Sequence, residues 1–182
     1  MTRPQPKYGS EPMEGIMFDP PPRMVNFDDS KQAGKVQTVL GTLAPELLGI
    51  TLTHEHLLVD ITCYWKPPQE ATARRLYFSP LTPEVLGYIR HFGATNHEND
   101  QLTDISMVIE EIMLFKQYGG QSLVDASNIG LGRDPVGLTR IARVTGLNII
   151  MGASYYVNMS HPEDMDSRTE EQITEKVVLD VT

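Results

Sequence analysis

The sequence predicts an α/β protein built around a parallel sheet. Two observations carry that expectation. From Ile50 onward, short β-favouring or apolar runs alternate with segments whose apolar residues repeat at the 3.6 period. The helical segments open on polar caps, two of them followed by proline, and two of them stop at glycine. Strands alternating with helices of this length imply βαβ units. A doubly wound open sheet and a (β/α)8 barrel both satisfy the order, and periodicity does not separate them.

Residues 1–33 stand apart. Pro4, Pro6, Pro12 and Pro20-Pro21-Pro22 interrupt any regular element, and apolar residues show no period, so a disordered N-terminal extension is expected there. The structured domain is expected over 34–182. Val36 to Leu40 reads as a strand, and Gly41 to Gly49 as a connection. Ile50 to Leu58 reads as a second strand, pairing with the first as a hairpin. Asp60 to Leu102 is irregular and punctuated by prolines, the mark of a functional loop or lid, with one short helix from Pro83 behind a Thr82 cap.

The rest reads more clearly. Thr103 is expected to cap a helix carrying Ile105, Val108, Ile109, Ile112 and Met113, which ends at Gly119-Gly120. Ser122 to Ser127 reads as a buried strand. Asp134-Pro135 starts a helix with Leu138, Ile141, Ala142 and Val144 inward, stopping at Gly146. Leu147 to Ala153 reads as a strand. Thr169 with Gln172 forms a capping-box pattern before Ile173, Val177 and Val178.

Composition narrows the function. A formal net charge of −9 argues against nucleic-acid partners, because phosphate neutralisation needs a basic face. No apolar run reaches the ~18 residues of a membrane span. The one cysteine, Cys63, rules out an intrachain disulfide and suits a reducing compartment, so a cytoplasmic location is expected. No Cys/His motif surrounds Cys63 to make it a nucleophile.

The octapeptide Gly49-Ile50-Thr51-Leu52-Thr53-His54-Glu55-His56 carries the chemistry. On a strand, His54 and His56 share a face and Glu55 takes the other. Two residues of strand advance about 6.6 Å, a gap across which two imidazoles converge on one ion. The bland alternative is a pair of ordinary strand histidines. Glu55 is expected in a structural salt bridge or a supporting contact, and Asp60 as a loop cap. His97 and His161 are expected as solvated loop histidines.

The octapeptide resembles the first signature of the phosphotriesterase family, within the amidohydrolase superfamily. Gly34 to Gly41 resembles that family's opening strand, particularly in the animal phosphotriesterase-related branch. Val124-Asp125-Ala126-Ser127 with Gly132-Arg133-Asp134 resembles its second strand and loop. Thr145 to Gly152 with Tyr155-Tyr156-Val157 resembles its third strand and exit.

The resemblance implies a partial (β/α)8 TIM barrel holding about the first three βα units. It implies His54 and His56 as metal ligands, with Zn2+ as cofactor and two divalent metals in a complete homologue. The remaining ligands and the proton-accepting aspartate fall on later strands, so no catalytic residue is assigned. The implied activity is metal-dependent hydrolysis of a phosphotriester, a lactone or an N-acyl amino acid such as N-acetyltaurine. Tyr156 and Arg133 are expected to contact substrate, with packing and a structural ion pair as their alternative readings.

A barrel of this kind takes about 250 residues, so an N-terminal fragment is expected, inactive by itself and marginally stable. The expected partners are a small-molecule substrate and either a second copy of the chain or a missing C-terminal half. The rival expectation is a non-catalytic partial barrel that docks on a full-length homologue.

Overall fold

The computed structural model describes residues 32–92 and 96–181. The extension expected over 1–33 lies outside the described residues except for Gln32 and Ala33.

The first two strands, β1 (Val36–Thr38) and β2 (Gly41–Leu43), form a tight antiparallel hairpin. This corrects the expected pairing of β1 with the histidine strand. Gly41 at φ +122° permits the reversal, and the Thr38 hydroxyl spans the turn by donating to Gly41 O at 2.7 Å and accepting from Leu40 N. The histidine strand, β3 (Ile50–Glu55), instead enters a parallel sheet. It pairs with β6 (Gly120–Asp125), which pairs with β7 (Asn148–Met151), giving the order β3-β6-β7.

The irregular stretch closes on itself. Two-residue strands β4 (Val59–Asp60) and β5 (Gln101–Leu102) pair antiparallel at its base. Between them lie α1 (Ala71–Tyr77) and α2 (Pro83–Phe92). The second starts where Thr82-Pro83 indicates. The first escapes periodicity because it has seven residues and buries only Tyr77; Glu70 starts it by accepting from Thr72 N and Ala73 N.

Helices α3 (Ile105–Gln117) and α4 (Pro135–Thr145) supply the layer over the sheet. The cap of α3 is Asp104, one residue after the expected Thr103; its carboxylate accepts from Ser106 N and Met107 N. Asp134 caps α4 by accepting from Gly137 N at 2.9 Å, and Gly146 at φ +66° ends it. Val108 of α3 and Leu138, Ile141 and Ala142 of α4 bury against Leu123 of β6 and Ile149 of β7, with Leu57, Leu58 and Leu147 completing the cluster. Ile141, Ala142 and Ile149 are fully enclosed, so the core lies under α4.

The last helix, α5 (Glu170–Asp180), carries the full capping box: Gln172 N donates to Thr169 Oγ1, and Thr169 N donates to Gln172 Oε1. None of its residues is buried as a whole, although the Asp180 side chain is enclosed at the far end, so at its start the helix relies on the cap more than on packing. Thr169→Ala is expected to cost about 1 kcal/mol, measured as a lower urea midpoint; an unchanged midpoint contradicts it. Among the described residues no helix is long and apolar enough to cross a membrane.

Candidate metal centre

The strand register is irregular beside the histidines. Leu52 pairs with Leu123 and Glu55 with Asp125, so three steps on β3 match two on β6. The ladder bulges at this point, and His54 and His56, two residues apart, lie on one face as strand alternation expects. His54 and His56 meet there, their ring centroids 5.4 Å apart and their planes edge to face at 73°. His54 is exposed and His56 half-buried. Of the two expected roles of Glu55, an ion pair is not seen among the described residues; its carbonyl accepts from Ala126 N at 2.7 Å.

Asp125 clips the two strand ends together. It is completely buried, and its carboxylate accepts from Leu57 N (2.8 Å) and from Ser127 N (2.8 Å). One carboxylate thus fixes the backbone directly after His56 to the backbone carrying Ser127. The Ser127 hydroxyl then reaches His56 Nδ1 at 3.0 Å and Leu58 O at 2.8 Å. At the opposite end of the strands, Ser122 Oγ donates to Leu48 O. Both ends of the histidine strand are therefore tied to β6.

In a barrel, the sequence position of Ser127 near the C-terminal end of its strand makes it face the site, whereas Asp125 has no role assigned from sequence. The available signal was the Asp-x-Ser spacing, which puts both side chains on one face at a strand end. The bulge left no signal, because it is a property of two strands paired far apart in sequence.

The expected substrate contacts lie on separate structures. Tyr156 is exposed, and its ring meets Tyr64 edge to face at 5.9 Å. The hydrogen bond with Tyr156 pushes the Tyr64 phenol up to about 12. Tyr155 turns elsewhere, accepting from Arg168 Nη1, whose guanidinium also lies over its ring. Arg133 occupies the ion-pair alternative. Its Nη2 meets Asp180 at 3.0 Å and its Nη1 donates to Gly152 O at 3.1 Å, with only 10% of its side chain exposed.

Burial disfavours charge on Asp180, but hydrogen bonds and charge from Arg133 and Lys176 outweigh it and hold the carboxyl below its ordinary value. An open groove of about 360 Å³ borders this pair, lined in part by Val36, Val39, Ile150 and Asp180; neither histidine lines it.

The loop side chains are structural. Asp60 accepts from Thr62 N, Thr62 Oγ1 and Gln101 Nε2, so it caps the turn and ties β4 to β5. Burial and the Asp60 charge push the Cys63 thiol up, away from the thiolate a nucleophile needs. His97 packs between Tyr77 and Phe78, and His161 lies against Tyr155, so both are held by rings where free loop positions were expected. Asp100 is buried with Oδ2 unpartnered, and burial pushes its carboxyl up.

The histidine pair offers two nitrogen donors on one face, and among the described residues no group of three or more His, Cys, Asp or Glu side chains converges. The donors fit one half of a tetrahedral site. A parallel β/α sheet with paired histidines closing its first strand defines the class: an α/β protein with a candidate metal-binding strand end.

The phosphotriesterase family model matches residues 34–182, and the chain belongs to that family. It is 42% identical over 153 residues to the N-acetyltaurine hydrolase of Xenopus tropicalis, covering 84% of this chain and 44% of that one. The phosphotriesterase-related protein of Nematostella vectensis is 35% identical over 153 residues, at 82% and 44% coverage. Among solved structures, a resiniferatoxin-binding protein from Rhodobacter sphaeroides superposes with a TM-score of 0.75 at 38% identity, over 81% of this chain and 41% of that one. The chain thus spans less than half the length of these relatives. Its sheet is part of a (β/α)8 TIM barrel, comprising three βα units.

Proposed function

We propose that this chain contributes the first two ligands of a divalent metal centre, with Zn2+ as the ion, in a hydrolase acting on a small N-acyl substrate. The observation that supports it is the convergence of His54 and His56 on one face at the end of the first parallel strand. The amide specificity rests on relatives named as N-acetyltaurine hydrolases. A cation held there supplies Lewis acidity, activating water and polarising the scissile C=O. His54 and His56 fix its position, and the Asp125 clip fixes the backbone directly after His56. Tyr156, exposed beyond β7, contributes a substrate contact.

Two donors alone hold zinc loosely, so residues 1–182 by themselves are not expected to turn over substrate. Equilibrium dialysis of the chain against Zn2+ tests the metal reading, and an assay on N-acetyltaurine tests the activity. His54→Ala is expected to lower zinc retention at least about tenfold, since it removes one of two ligands. Retention unchanged by that substitution overturns the metal reading. Turnover that disappears in the same variant overturns the expectation of an inactive chain.

A further inference from the structure

The two histidines differ in one respect. The His54 ring is held only by the edge-to-face contact with His56 among the described residues. The His56 ring is hydrogen-bonded to a side chain that is itself buried and hydrogen-bonded. Ser127 is 1% exposed, and its backbone N–H is held by Asp125 Oδ1 at 2.8 Å. We infer that Ser127 is a positioning residue that locks His56 in its Nδ1–H tautomer and thereby reserves Nε2 for the metal ion. This inference rests on the metal reading above.

Proton counting carries the argument. A serine hydroxyl has one proton to donate and two lone pairs to accept with. Leu58 O lies 2.8 Å from Ser127 Oγ and only accepts, so it takes the hydroxyl proton. Toward His56 Nδ1, 3.0 Å away, Oγ then presents a lone pair. Nδ1 must carry the hydrogen for that contact to be attractive. In a neutral imidazole the lone pair consequently sits on Nε2. The opposite tautomer would either set two lone pairs against each other or turn the hydroxyl to Nδ1 and strip Leu58 O of this donor, in a pocket where Ser127 has almost no access to water.

The lock serves ligation in two ways. It aims a single nitrogen outward, and a hydrogen bond from Nδ1–H raises the basicity of the other nitrogen. His56 is thus the preformed ligand, whereas His54 must settle when the ion arrives.

The test uses the full 182-residue chain, labelled with 15N and free of metal. Ring 15N–1H correlation spectra at a pH where His56 is neutral should show it as the Nδ1–H tautomer; an Nε2–H tautomer overturns the inference. This reading needs no substitution, so a variant that fails to fold does not shelter it. Ser127→Ala should mix the tautomers and weaken Zn2+ binding about 10- to 100-fold. Ser127→Thr, which keeps the hydroxyl, should restore both. Weakened zinc binding with the tautomer unchanged in Ser127→Ala makes Ser127 merely structural and overturns the inference. A locked tautomer in a chain that takes up no zinc supports the lock and overturns the metal reading.

Discussion

Asp125→Ala is expected to destabilise the chain by about 4 kcal/mol. The substitution strands two buried amides, Leu57 N–H and Ser127 N–H, and a buried donor left unsatisfied costs about 1–3 kcal/mol. It also unfastens the β3 end from the β6 end directly beside His56. Domains are stable by about 5–15 kcal/mol in total, so a loss of this size is a large fraction of what holds the chain together. Urea denaturation followed by circular dichroism measures it. Asp125→Asn retains one acceptor and should fall between wild type and alanine. If both variants unfold at the wild-type midpoint, the carboxylate is not the clip. In the alanine variant zinc retention should fall together with stability, because the same two amides set the direction of His56.

Arg133→Ala is expected to cost about 3 kcal/mol, the scale for breaking a buried ion pair by removing one partner. Asp180 is 7% exposed at the side chain, and its Oδ2 already lacks a partner. Lys176, four residues away on the same helix, remains and keeps the loss at the lower end.

The pH dependence follows from the sign of the Asp180 shift. Its folded carboxyl lies below the ordinary 3.8 because the two cations outweigh burial. Stability from a depressed carboxyl is fully present above the unfolded value and is lost as pH falls through the folded one. The gap between wild type and Arg133→Ala should therefore be full above about pH 4 and shrink on further acidification. A gap that persists unchanged at pH 2 would mean that Arg133 acts through packing and its bond to Gly152 O.

How much of this was legible in advance depended on the range of the interactions. Helix ends were legible because caps are local: Asp134 reaches Gly137, and Thr169 reaches Gln172. The exception, Thr103 in place of Asp104, is an error of one residue between two adjacent capping types. The hairpin was misassigned because the choice between a two-residue reversal at Gly41 and a longer connection to Ile50 depends on what Ile50 pairs with. That partner is β6, far along the chain. Helix α1 went unread because seven residues with one buried side chain offer no period.

By itself the sequence determined the alternation of strands and helices and the His54/His56 pair, since spacing and capping act over a few residues, and it showed the family through the resemblance of its motifs. Tertiary structure alone decided the bulge beside those rings, the Asp125 clip, the Ser127 contact 71 residues from His56, and the burial of Arg133 against Asp180. Each of these joins groups far apart in the chain. Their free energies depend on desolvation and geometry that exist only once the sheet has formed.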